Sequence, residues 1–205
     1  MPLFLLVRHG ENDYVKKGRL AGRLSGVHLN KKGIAQAQAL AERLHGAPVK
    51  AIYSSPLERT METAAPIAQV LGLEIIDSPG LIEADYGEWQ DQSLKSLRRL
   101  KLWKTVQNSP SIMQFPGGES FAQTQQRITT ELVELTRLHD QKDMLVCVSH
   151  ADPIKLAVAY FIGLPIDMFQ RISVSPGSIT ALFLGDSGGQ LLGLNIESRF
   201  EIPKS

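Results

Sequence analysis

The sequence predicts an α/β fold: a three-layer sandwich around a mostly parallel central sheet with an antiparallel edge strand, built as one domain over residues 1–205. Three observations predict it. Short apolar runs rich in β-formers alternate with longer segments of helical period, the order a parallel sheet requires. Leu3 to Val7 is unbroken in its apolarity, as expected of a strand covered on both faces. The last two apolar runs, Ile179 to Leu184 and Leu191 to Ile196, lie close enough to form a hairpin through a tight turn at Gly188-Gly189.

The remaining elements follow in order. From Asn30 to Leu44, Ile34, Ala37, Leu40, Ala41 and Leu44 share one helical face. Val49 to Tyr53 is a second strand. Ser55-Pro56-Leu57-Glu58 then reads as a helix start, with Ser55 as N-cap, Pro56 at the first position and Glu58 completing a capping box. That helix runs through Met61, Ala64, Ala68 and Leu71 and stops at Gly72. Leu73 to Ile76 is a short strand, and Ser93 to Gln107 is helical with poor patterning. Phe121, Ile128, Leu132, Leu135 and Leu138 mark a long amphipathic helix; Met144 to Val148 is a strand and Pro153 to Ile162 a helix.

Composition narrows the function. Lys plus Arg is 22 against 21 for Asp plus Glu, a net charge of +1, without the basic excess a nucleic-acid or membrane-surface binder needs. The one cysteine, Cys147, allows neither an internal disulfide nor a thiolate zinc site and reads as core. No apolar run approaches the ~20 residues of a membrane span, and the N-terminus lacks a basic leader, so a cytoplasmic enzyme is expected. A homodimer is left open.

In open α/β sheets, ligands bind beyond the carboxyl ends of the strands. Those places hold Arg8-His9-Gly10-Glu11, Ser54-Ser55 with Arg59 soon after, Glu83-Ala84-Asp85-Tyr86-Gly87-Glu88-Trp89, and Ser149-His150. Two histidines and two arginines thus converge on one rim. Arginine's planar fork matches phosphate or carboxylate, and a neutral imidazole is a nucleophile or base. The set reads as a site for a phosphoryl group, with no residues at metal-ligand spacing. Blander readings compete: Arg59 pairing with Glu62 on a helix surface, Asp85 or Glu88 replacing Glu83 as the inward carboxyl, Arg19 and Arg23 as solvated loop charges, Lys155 and His45 as helix surface, and Pro116-Gly117-Gly118-Glu119 as only a helix start.

Arg8-His9-Gly10, Ser54-Ser55-Pro56 with Arg59-Thr60, Glu83 with Tyr86-Gly87-Glu88-Trp89, Pro116-Gly117-Gly118-Glu119-Ser120 and Ser149-His150 resemble, in order, the motifs of the histidine phosphatase superfamily. The resemblance implies a phosphoglycerate mutase-like fold and is closest in kind to the short bacterial phosphatases and probable phosphomutases. It implies that His9 forms a phosphohistidine, that Arg8, Arg59 and His150 hold the phosphoryl oxygens, and that Glu83 serves as acid and then base. The chain departs from the family pattern where a phosphate-contacting Asn would fall, at Val15; Asn12 is the expected substitute. Ala151 stands where the family has Gly, and its backbone N–H still faces an anion. The substrate implied is a small phosphorylated metabolite, with no metal or other cofactor. The alternatives are a phosphomutase primed by a bisphosphorylated molecule, and an inactive phospho-ligand-binding domain. The basic loop from Lys16 to Leu29 is expected to face the substrate.

Overall fold

The computed structural model describes residues 2–185 and 188–197. Six strands, β1 (Leu3–Arg8), β2 (Val49–Ser54), β3 (Ile75–Asp77), β4 (Met144–Ser149), β5 (Ile179–Gly185) and β6 (Gly188–Ile196), form one sheet in the order β3-β2-β4-β1-β5-β6. The first four pair in parallel, while β5 runs antiparallel to both β1 and β6. The helices are α1 (Asp13–Lys16), α2 (Lys31–Leu44), α3 (Glu58–Leu71), α4 (Leu94–Leu97), α5 (Lys101–Asn108), α6 (Phe121–Leu138) and α7 (Ala151–Phe161).

The three layers follow from strand pleating. Leu5, Val7, Ile52, Val146 and Val148 point to one face and pack with Leu40, Leu44, Ala64 and Ile67 of α2 and α3. Phe4, Leu6, Tyr53, Leu145 and Cys147 point to the other, against Ile128 and Leu132 of α6 and Ile154 and Val158 of α7. Both faces of the central strands are therefore covered, as their unbroken apolar runs demand.

Several boundaries differ from expectation, each for a local reason. The Ser55 N–H still donates to Val148 O at 2.9 Å, so the chain remains tied to the sheet there. Helix α3 consequently starts at Glu58, with Leu57 at a cap position that makes no side-chain hydrogen bond, and the Ser55 hydroxyl is free for other use. The helix does stop at Gly72, which adopts φ +66° as its C-cap. The third strand lies two residues later than Leu73, at Ile75–Asp77. Ser93 to Gln107 splits into α4 and α5. Gly188 and Gly189 belong to β6, facing Gly185 and Leu184, and not to a turn; residues 186–187 lie outside the described residues. Lys155 is not helix surface: its side chain is largely covered and bonds Asp152.

Candidate active site

The carboxyl ends of β1 and β4 lie side by side, with Arg8 opposite Ser149 in the ladder. The His9 N–H continues that ladder to Ser149 O at 3.0 Å, which sets the two following histidine rings 5.2 Å apart. Gly10 follows because there is no room for a side chain: a Cβ would sit 2.6 Å from Gly33 O.

His9 has a defined tautomer. Its Nδ1 is 2.7 Å from Gly10 O, and a carbonyl only accepts, so Nδ1 carries the proton and Nε2 keeps a lone pair. Burial, then Arg59 and Arg8, push the His9 pKa well below its ordinary value and keep the ring neutral. His150 is fully buried. Arg59 Nη2 lies 3.2 Å from its Nδ1 and, being able only to donate, makes that nitrogen the acceptor. The His150 Nε2–H therefore donates to the Ser55 hydroxyl at 2.8 Å, the use for which Ser55 was released from capping.

Arg59 is 1% exposed, which excludes a surface pair with Glu62; that carboxylate instead holds His28 Nδ1 at 2.5 Å and Leu29 N at 2.8 Å. Arg59 Nη2 also donates to Gly22 O at 2.7 Å, and Arg8 Nη1 to Val174 O at 2.7 Å. Among the described residues, four buried side-chain nitrogens of Arg8, Asn12 and Arg59 are left without a protein partner: Arg8 Nε, Arg59 Nε, Arg59 Nη1 and Asn12 Nδ2; a fifth, Arg127 Nε, belongs to the brace on the Glu83 loop. Asn12 itself is fixed, its Oδ1 capping α1 through Val15 N at 2.9 Å.

Arg8, His9, Asn12, Arg59, Glu83 and Ala151 all line one cavity of about 300 Å³. His150 lies behind its wall, in contact with Arg59. Of the three candidate carboxyls, Glu83 is the inward one: Oε1 accepts from Ala84 N at 3.0 Å and Oε2 is 4.0 Å from His150 Nδ1. Asp85 turns away to accept from Gly87 N, and Glu88 is exposed. Burial, then the nearby Asp152 carboxylate, push the Glu83 pKa up to about 7.

The loop that carries Glu83 is held by charges that resemble solvated ones in the sequence. Arg23 Nε donates to Glu83 O at 2.9 Å, and Arg127 donates to Gly80 O and Ile82 O at 2.9 and 2.8 Å. Glu119 binds both guanidiniums, at 2.6 and 3.0 Å. Gly118 lets this brace close, since a Cβ there would meet Asp85 O at 2.3 Å. Arg23 is thus a strut, and Pro116-Gly117-Gly118-Glu119 does more than start α6, whose capping box is Ser120 with Gln123. Arg19, which also lines the cavity, is bound by Asp91 through both its backbone carbonyl and its carboxylate.

Sequence reasoning missed a second carboxylate in the cavity wall. Asp152 accepts from Tyr86 Oη at 2.9 Å and from Lys155 Nζ at 2.9 Å. Burial opposes its charge most, but Lys155, the Tyr86 hydroxyl and Arg8 together outweigh burial and hold its pKa below the ordinary carboxylate value. The available signal was its place two residues after His150, in the first turn of α7.

Among the described residues, no group of three or more His, Cys, Asp or Glu is placed to hold a metal ion, and no helix is long and apolar enough to cross a membrane. The structure resembles a phosphoserine phosphatase from Entamoeba histolytica in complex with 3-phosphoglyceric acid, at TM-score 0.88 and 26% identity over 97% of this chain and 98% of that one. In sequence, phosphoserine phosphatase 1 of Hydrogenobacter thermophilus is 30% identical over 201 residues, 96% of this chain and 93% of its own length. The probable phosphoglycerate mutase GpmB of an Enterobacter species is 31% identical over 199 residues, 96% of this chain and 92% of its own. The family model described as the histidine phosphatase superfamily, branch 1, matches residues 4–197. With that match spanning the sheet from β1 to β6 and the whole rim between, the chain belongs to branch 1 of the histidine phosphatase superfamily and is an enzyme of the phosphatase or phosphoglycerate mutase kind.

Proposed function

We propose that the chain, acting as one catalytic domain, is a metal-independent phosphomonoesterase for a small phosphorylated metabolite, with His9 as the phosphoryl carrier. The observation that carries this reading is the neutral His9 ring, its proton held on Nδ1 by Gly10 O, in a cavity wall with four unpartnered N–H donors. Phosphoryl transfer asks a protein mainly for positioning and for donors around the equatorial oxygens. Arg8, Arg59 and Asn12 Nδ2 supply those donors, with the Ala151 N–H at the start of α7. Burial first, and then the charges of Arg59, Arg8 and Arg127, hold the His150 pKa well below its ordinary value; a bound dianion opposes those charges and favours a proton on Nδ1, from which the ring can donate.

In the first step His9 Nε2 attacks phosphorus, the N–P bond forms, the P–O bond to the alcohol breaks, and Glu83 gives its proton to the departing oxygen. In the second, water attacks phosphorus, its proton passes to the Glu83 carboxylate, the N–P bond breaks and inorganic phosphate leaves. A carboxyl near 7 is matched to serve as both acid and base at neutral pH. A mutase needs cations at both ends of the cavity. Away from Arg8 and Arg59, the one arginine in the lining is Arg19, already bound by Asp91, and this favours the phosphatase.

The test is quench-flow with radiolabelled aryl phosphate. Label is expected on His9 as an acid-labile, base-stable adduct; His9→Ala is expected to lose both the adduct and turnover, while a strong chelator leaves the wild-type rate unchanged. Turnover by His9→Ala, or a chelator-dependent rate restored by one divalent ion, would overturn the mechanism.

A further inference from the structure

Beyond the phosphoryl end, the cavity changes character. Its far wall is built from Leu20 and Trp89 and from the residues of α4 and α5 that face inward, Leu94, Trp103 and Val106, with Phe115 behind. Trp89 and Trp103 are stacked, centroids 6.2 Å apart and planes 19° from parallel. The polar side chains Gln107 and Gln170 in the lining are uncharged, and the carboxylate of Asp152, beside Glu83, is itself negative.

Beyond Arg8 and Arg59, a leaving group with its own carboxylate would therefore meet no cation free of an anionic partner among the described lining residues. Arg8 and Arg59 face the phosphoryl group in the reading above, and Arg19 is bound by Asp91. Lys155 is held by Asp152 and by Gln170 Oε1, at 2.9 and 2.8 Å. Burying an uncompensated carboxylate against indole rings is unfavourable, whereas an apolar group gains from the same surface. A cavity of about 300 Å³ is at the small end for ligand sites, which limits the group to one ring or a short branched chain beside the phosphate.

From this wall we infer that the alcohol released is uncharged and mainly apolar, an aryl-alkyl or branched alkyl alcohol, and not a hydroxy acid or an amino acid. The inference rests on the phosphatase reading of the same site. It separates this chain from the relatives whose names specify phosphoserine or whose structure holds 3-phosphoglyceric acid.

The experiment is a panel of kcat/KM values for the wild-type chain with methyl, ethyl, propyl, butyl and phenethyl phosphates, phosphoserine and 3-phosphoglycerate. The alkyl leaving groups are alike in chemistry, so differences report the wall. Each added methylene is expected to raise kcat/KM about fourfold. Phenethyl phosphate is expected to exceed phosphoserine and 3-phosphoglycerate by about 10²-fold. In Trp103→Ala the ratio of phenethyl to methyl phosphate is expected to fall at least about tenfold. Preference for either carboxylate-bearing substrate, or no dependence on chain length, overturns the inference and leaves the phosphatase reading standing. If no member is hydrolysed, the phosphatase reading itself fails and the inference falls with it.

Discussion

Replacing Arg59 by methionine separates function from stability. Of its donors, Nη2 is engaged by Gly22 O and His150, while Nε and Nη1 have no protein partner in a residue that is 1% exposed. Two charge-assisted bonds to a phosphoryl group, at about 1.5–3 kcal/mol each, make the loss about 3–6 kcal/mol, or roughly 10²- to 10⁴-fold in kcat/KM. Arg59→Lys offers one point donor for a fork and should recover at most one of those bonds, leaving it about 10- to 10²-fold down. The free protein does not share that loss. Two buried donors without partners cost about 1–3 kcal/mol each, and burial is the first cause of the lowered Arg59 pKa. Methionine removes that cost and gives up the bonds to Gly22 O and to the buried His150 Nδ1, about 1 kcal/mol each, so the two sides offset and the variant is expected to match wild-type stability to within ~1–2 kcal/mol. Urea unfolding measures the second quantity and aryl phosphate turnover the first. Inorganic phosphate at a hundred times the wild-type Kd should add about 2.7 kcal/mol to the wild type and less than about 0.5 kcal/mol to Arg59→Met. Arg59→Met within about threefold of wild-type kcat/KM would refute the reasoning, as would a large loss of stability with turnover per folded molecule preserved.

Two further perturbations bear on Glu83 and its support. Glu83→Gln is expected to slow alkyl phosphates by about 10²- to 10⁴-fold and aryl phosphates, whose leaving groups need no proton, far less; an unchanged ratio removes the acid role. The same variant has a stability signature. The Glu83 pKa rises from its ordinary 4.5 to about 7 on folding, so the folded state holds a proton that the unfolded chain releases, and wild-type stability falls as pH climbs through that window. The fall is of order 3 kcal/mol and should be absent in Glu83→Gln when unfolding is compared at about pH 5 and about pH 8. Glu119→Ala frees Arg23 and Arg127 from a carboxylate whose side chain is 22% exposed, and is expected to destabilise by about 2 kcal/mol. It should lower kcat for alkyl phosphates while the inhibition constant of inorganic phosphate stays put, since Arg8 and Arg59 stand on other elements; a parallel weakening of phosphate binding would argue against a positioning role.

The strands and the rim were legible because both follow from short-range pattern: doubly buried strands read as unbroken apolar runs, and the rim lies one residue past their ends. What escaped was charge that works on the backbone. Arg23 and Arg127 satisfy carbonyls of a loop without period while Glu119 holds both guanidiniums, and nothing in spacing separates such residues from solvated ones. The choice among Glu83, Asp85 and Glu88 needed the direction of each side chain, which a segment of short 3₁₀ turns does not encode periodically. Asp152 with Lys155, spaced i and i+3, reads as a helix-surface pair until the cavity wall is seen.

His9 and His150 stand at the ends of neighbouring strands whose parallel ladder runs from Leu3–Met144 to Arg8–Ser149, while Glu83 enters the same cavity from a stretch fixed by side chains. The two parts of the chemistry therefore have separate inheritance. A frame of main-chain bonds tolerates almost any sequence that keeps its faces apolar, so the phosphoryl-handling half can persist while its neighbours drift. The segment from about Gly80 to Ser120 carries the acid, Glu119 and much of the far wall together, and Arg23 and Arg127 grip it from outside through main-chain carbonyls that any sequence supplies, so it can be exchanged as a cassette without moving the nucleophile. New specificity in this scaffold then arises by replacing one contiguous stretch of chain, with the reaction preserved by the sheet it leans on.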